Sequence, residues 1–226
     1  MLAQVRKLGP YLLALYALPI IFLAGVVLAS LKMDVPFGLF TRDPASYTEL
    51  HPLTGIASNL GFVVWIATAT ICIFSAALLR GRANQEATRY ANSGANTTDN
   101  RNIANYLLGA GLLTALLAFD DFFLIHDTIL PQYLGMDEKV MYALYACLAI
   151  SGAVIFRTVI LKTEYAMLLL AFGFFGLSLC IDMLQETLEP TWGDWRIFLE
   201  DSSKFLGIVG WFGYFSRCSY LALRTK

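Results

Sequence analysis

Histidine occurs only twice in this sequence, as His51 and His126, and charge of either sign is scarce. Charged residues are 15% of the 226 and nearly cancel, leaving a formal net charge of −1. No long run of Lys and Arg appears, so the electrostatic footprint of a nucleic-acid binder is missing and no nucleic-acid partner is expected. Cysteine is scarce too. Cys72, Cys147, Cys180 and Cys218 stand singly inside apolar stretches, without the C-x-x-C spacing of a zinc site or the pattern of a disulfide framework. They read as small buried apolar side chains.

What is abundant is hydrocarbon. Hydrophobic residues are 58% of the chain and the mean hydropathy is +0.61, which points to an all-α, polytopic integral membrane protein. Six apolar stretches follow one another, at about 11–31, 53–79, 103–129, 140–161, 165–188 and 197–223. About 20 residues of helix cross the hydrocarbon core of a bilayer. Arg6 and Lys7 precede the first stretch, but it is longer than the roughly 7–15 residues of a signal-peptide core, so it reads as a retained span. Pro52 opens the second, where a helix tolerates proline; Pro131 and Pro190 are expected to stop the third and fifth. The hydrophilic stretch 80–102, full of Asn, Gly, Thr and Ala, predicts a flexible cytoplasmic loop. The whole chain, 1–226, is expected to form one six-helix transmembrane bundle.

Orientation follows from the basic residues. Arg6, Lys7, Arg80, Arg82, Arg89, Arg101, Arg157, Lys162, Arg217, Arg224 and Lys226 fall on one side of a six-span weave, against Lys32, Arg42, Lys139 and Arg196 on the other. The positive-inside rule puts both termini in the cytoplasm, in a plasma or inner membrane.

That topology gathers the rare ionisable groups. The stretch Phe119-Asp120-Asp121-Phe122-Phe123-Leu124-Ile125-His126-Asp127 closes the third apolar run with four of them. A carboxylate at the bilayer centre costs roughly 2.5–3.5 kcal/mol on insertion scales, so its default reading is functional. Counted from the cytoplasmic ends, Asp120, Asp182, Asp201 and Lys204 occupy one layer, roughly 20–26 Å up at 1.5 Å per residue. Asp120 and Asp127 share a helix face, and Asp182, Glu186 and Glu189 form an acidic stripe; Asp121 and His126 point to other faces. Either Glu200 or Asp201 can pair with Lys204. Asp127-Thr-Ile-Leu-Pro131 and Glu186-Thr-Leu-Glu-Pro190 repeat one acid-Thr-x-x-Pro pattern, a sign of two related helical hairpins.

Lys204 is the only basic residue in that layer, so its carboxylates call for a cation or for bound protons. Hard oxygen ligands suit a divalent metal ion, with Asp120, Asp127, Asp182 and Glu186 as ligands and His126 as the available imidazole. No Glu-x-x-His pair marks a di-iron bundle. Two histidines also depart from the zinc-dependent membrane hydrolases of the alkaline ceramidase and progestin-receptor group, which use several. Asp201-Ser-Ser-Lys204-Phe-Leu-Gly207 faintly resembles the last helix of microbial rhodopsins, where a lysine binds retinal. The likeness covers that segment only, and neither a seventh span nor an Arg-Tyr-x-x-Asp-Trp helix accompanies it.

The expectation is therefore a metal-dependent membrane hydrolase acting on a lipid-like substrate. Glu186 or Glu200 serves as base toward water, and Lys204 stabilises developing negative charge. The alternatives are a proton- or cation-coupled transporter or sensor, and an accessory subunit that docks a membrane-complex partner or forms an oligomer.

Overall fold

Helix is the only regular structure among the described residues, so the chain is all-α. The structure, a computed structural model, describes residues 17, 20, 21, 23–34, 51, 54–89 and 97–224. Two units divide it, Met1–Thr54 and Gly55–Lys226. In the first, a short apolar helix, α1, covers Leu23–Met33. The start of the span expected at 11–31 lies outside the described residues, as does much of the 32–51 connection.

In the second unit α2 covers Ile56–Arg89 and α3 Thr97–Phe123; a π-helical turn, Ile125–Ile129, and α4, Leu130–Leu134, follow. Then come α5 (Glu138–Ile155), α6 (Arg157–Ile160), α7 (Tyr165–Met183), α8 (Gln185–Trp192) and α9 (Asp194–Arg224). Three helices among the described residues are long and apolar enough to cross a membrane, over Ile56–Gln85, Asn100–Phe123 and Tyr165–Met183. The apolar part of α5 is shorter. Charges set α9 apart: Glu200, Asp201 and Lys204 interrupt its hydrocarbon.

Two boundaries differ from the sequence expectation. The loop predicted over 80–102 is largely helix, since α2 runs on to Arg89 and α3 begins at Thr97. The basic residues there are good helix formers, and they tie neighbouring helices together. Arg80 donates to Asn105 at 2.7 Å, Arg101 reaches Asn84 at 3.5 Å, and Arg82 donates to the Leu223 carbonyl at 2.9 Å. Pro131 and Pro190, in turn, do not end their spans. The breaks come earlier, at Leu124 and Leu184, and each proline lies within the short helix that follows. Pro131 sits in the first turn of α4, where the missing N–H costs nothing.

Close approaches fix the packing. α2 lies along α3 and α9, and α7 lies along α9, while α5 meets α3 over a much shorter stretch. At Gly111 a Cβ would come within 2.7 Å of Ile73 and 3.2 Å of the Ala69 carbonyl, so α2 and α3 touch backbone to backbone. At Gly207 a Cβ would lie 2.6 Å from the Phe175 ring, so α9 seats that ring directly against its own backbone. Trp65, Cys72, Leu107, Ile208, Trp211 and Phe215 fill the space between. All four cysteines are free thiols; Cys72 and Cys218 are buried as expected, whereas Cys147 and Cys180 are exposed on helix faces. At the other end of α9, Arg217 hydrogen-bonds Glu164 and holds its carboxyl below the usual carboxylate range.

Candidate functional site

The sparse contact of α5 leaves space. A cavity of about 460 Å³ opens between α3, α5, α7 and α9. Its walls include Trp65, Phe172, Phe175 and Trp211 together with Tyr142 and Tyr145. Its ionisable lining is Asp120, Asp121, His126, Asp182, Glu200 and Lys204. Of the four groups expected in one layer, Asp120, Asp182 and Lys204 line this cavity, while Asp201 does not.

Within it the chain does something a continuous helix cannot. At Leu124 the backbone enters the left-handed region, with φ 50° and ψ 43°. The chain then rewinds as a π-turn, and His126 is carried back onto the acid six residues earlier. The His126 backbone N–H donates to Asp120 Oδ1 at 3.1 Å, and His126 Nδ1 lies 2.5 Å from Asp120 Oδ2. A carboxylate only accepts, so Nδ1 carries the proton and Nε2 is the basic nitrogen. The Tyr145 hydroxyl, from α5, also interacts with this carboxylate. Asp120 and His126 are 3% and 7% exposed, which fixes the pair against rearrangement.

Asp121 turns the other way, onto α9. Lys204 Nζ donates to Asp121 Oδ1 at 2.5 Å, with the acid largely buried and the lysine side chain 43% exposed. Beyond Lys204 a small cleft holds Asp201 with Ala57, Ser58 and Gly61. Glu200 is bound by Arg196, one turn back on α9, at 2.6 Å. Asp182 adds repulsion at Glu200 from α7, and it has no hydrogen bond or ion pair among the described residues.

The expected metal set divides. Asp120, Asp182 and His126 reach the cavity. Glu186 is exposed on α8 and does not line it. The Asp127 backbone lies in the π-turn, and its side chain is outside the described residues. Among the described residues no group of three or more His, Cys, Asp or Glu side chains is placed to hold a metal ion. Of the residues expected to act on substrate, Glu200 and Lys204 line the cavity. His51, on the first unit, is exposed.

Residues 14–218 match the family described as a domain of unknown function (DUF8692), a stretch that contains every cavity residue. The chain belongs to that family. No curated protein and no solved structure matches it. In this DUF8692 chain, helical periodicity alone puts His126 and Asp120 on different faces, because nothing local marks Leu124 as a left-handed residue. Arg196 was within reach, since it stands four residues before Glu200. Tyr145 carries no signal; it is one of eleven tyrosines, in an ordinary apolar run.

Proposed function

We propose that this DUF8692 chain is a six-span membrane protein with both termini cytoplasmic, and that its outward-lying cavity hydrolyses a lipid-like ester. The observation that supports this reading most is that the Asp120–His126 pair and Lys204 line one aromatic-walled cavity. Asp120 holds the imidazole in the tautomer that leaves Nε2 basic. Nε2 takes a proton from water as the water oxygen adds to the ester carbonyl carbon. The Lys204 ammonium stabilises the oxyanion in a site where apolar walls strengthen that interaction. Collapse expels the alkoxide, which recovers the proton from the imidazolium, and the products are a fatty acid and an alcohol.

The base in this scheme is His126, since Glu186 lies away from the cavity and Glu200 is occupied by Arg196. A divalent cation remains part of the proposal in a narrower place, at Asp182, which lines the cavity. Asp120 and Asp121 already have His126 and Lys204 as partners, so they need it less. A second reading, proton-coupled transport, draws on a hydroxyl chain toward the cytoplasmic ends. Thr163 Oγ1, Tyr214 OH and Tyr106 OH follow one another at 2.8 Å and 2.9 Å.

The test is fatty-acid release by the purified protein in nanodiscs, from a panel of mono- and diacylglycerols and phospholipids. The expected result is turnover of at least one ester, lost about 100-fold or more in His126→Ala and in Asp120→Asn, the usual scale of general-base catalysis. No release from any ester, alongside pH-driven uptake that needs Tyr106 and Tyr214, would favour transport instead.

A further inference from the structure

Resting on the lipid-ester reading, we propose that the cavity is the head end of a longer site for a single-chain lipid. The acyl chain lies in an apolar groove beyond the cavity, and Tyr106, Phe156 and Phe215 form the floor that limits its length.

The groove holds about 440 Å³ between the same four helices. It shares one wall residue per helix with the cavity: Leu113 of α3, Ala149 of α5, Phe172 of α7 and Trp211 of α9. Those four side chains line both spaces, so the groove and the cavity adjoin along them. On α3 the cavity side continues through Leu117 to Asp120, and the groove side through Ala110 and Gly109 to Tyr106. On α5, which runs the opposite way, the cavity takes Tyr142 and Tyr145, and the groove takes Gly152 and Phe156. The polarity is therefore graded along one axis, ionisable at one end and hydrocarbon at the other.

The few polar atoms on the groove side are largely committed elsewhere. The Tyr106 hydroxyl pairs with Tyr214 at 2.9 Å, and the Trp211 indole N–H donates to Thr114 at 3.0 Å. What the groove offers a ligand is contact with hydrocarbon, which suits a methylene chain. Leu112, Leu116, Leu148 and Ile155 on its walls are exposed, so a chain can enter sideways from the bilayer. At the far end Tyr106 packs on Phe156 at 5.4 Å and on Phe215 at 5.7 Å between centroids, closing it. From Asp120 to Tyr106 is fourteen residues of helix, about 21 Å at 1.5 Å per residue. That is somewhat longer than the roughly 15 Å of hydrocarbon in one leaflet, so one extended chain fits with its ester at the dyad.

Gly152 provides the test. It lines the groove, and a Cβ there meets nothing within 4 Å, so a larger side chain projects into open space. The probes are two monoalkylglycerols with a diazirine at the methyl end, one of sixteen carbons and one of four, in phosphatidylcholine nanodiscs. After photolysis the long probe is expected to label residues within 106–116 and 148–156, and the short probe residues within 142–149. Gly152→Phe, or Leu116→Trp as a second plug, should cut the long-probe label at least tenfold and leave the short-probe label unchanged. Long-probe label spread over Val63, Leu169 and Leu170 would place the chain in bulk lipid and overturn the groove assignment while the cavity reading stood. Crosslinks joining two copies through 148–156 would make the groove a protein interface and overturn it likewise. If the short probe fails to label the cavity, the lipid-ester reading falls and this proposal with it.

Discussion

His126 Nδ1 stands 2.5 Å from Asp120 Oδ2, although six residues of unbroken helix would turn the two side chains far apart. The contact exists because Leu124 takes a left-handed conformation between α3 and the π-turn. Such a conformation costs a non-glycine residue roughly 1–2 kcal/mol. Strain of this kind collects where geometry serves a site, and here it converts a helix end into an oriented acid–imidazole pair.

That cost makes Leu124→Gly informative. Leu124 is about half exposed, so little packing is lost on removing its side chain. Glycine accepts the positive φ freely, while its extra freedom in the unfolded chain offsets part of the gain. The expected net effect is a stabilisation of about 0.5–1 kcal/mol, read as a small rise in melting temperature. Ester hydrolysis should be retained. A clear loss of stability would show that the Leu124 side chain holds the turn.

That Asp120, Asp182 and Lys204 meet was legible in the sequence, and the pairing around them was not. Residue counting from the span ends brought Asp120, Asp182, Asp201 and Lys204 to one layer, because helical rise is nearly constant, and all but Asp201 line the cavity. Which acid met which base depended on where each helix broke. Leu124 is an ordinary apolar residue in an apolar run, so the break that reunites His126 with Asp120 had no local marker. Lys204 met Asp121 on α3 rather than Glu200 or Asp201 on its own helix, since the two helices pack closely enough for a long-range pair. The two acid-Thr-x-x-Pro stretches share a local course of the chain. In both places a long helix breaks at a leucine and a short proline-bearing helix follows. A glycine with positive φ, Gly135 or Gly193, then precedes the next long helix.

The Lys204–Asp121 pair separates a structural role from a chemical one. Lys204→Met leaves a largely buried carboxylate unpaired, which is expected to cost about 1–3 kcal/mol. Adding Asp121→Asn should recover most of that loss. Hydrolysis should stay down about 100-fold in both the single and the double variant, because the oxyanion has lost its cation. Activity restored together with stability would make Lys204 a structural counter-charge only.

Gly176, on the cavity wall, and Gly207, which backs the cavity-wall ring of Phe175, should respond in opposite ways. Gly207→Ala drives a Cβ to 2.6 and 2.7 Å from two Phe175 ring atoms, where real contacts do not occur. Overpacking of this kind typically costs 1–3 kcal/mol, and it displaces a ring that stacks on Trp65 at 5.7 Å. Gly176→Leu meets nothing within 4 Å at its Cβ and projects from a cavity wall. The melting temperature should hold or rise, since glycine is poor in helices, while hydrolysis falls at least tenfold as the cavity fills. Equal activity in Gly176→Leu would mean that substrate does not use this space.

Orientation is the remaining link between cavity and function, because it decides which leaflet supplies the ester. The end of α2 and the start of α3, which adjoin in sequence, carry Arg80, Arg82, Arg89 and Arg101. On the proposed topology the positive-inside rule keeps this region in the cytoplasm, and α3 would then deliver Asp120 to the outer half. A cysteine introduced at Gly94, in a chain whose four native cysteines are replaced by serine or alanine, reports on this directly. An impermeant maleimide should leave it unlabelled in intact cells and label it fully once the membrane is opened. A second cysteine at Trp192, near the other ends of α7 and α9, should label in intact cells. Labelling in the reverse sense would turn the bundle over, place the Asp120–His126 pair against the cytoplasmic leaflet, and require the substrate to come from that side.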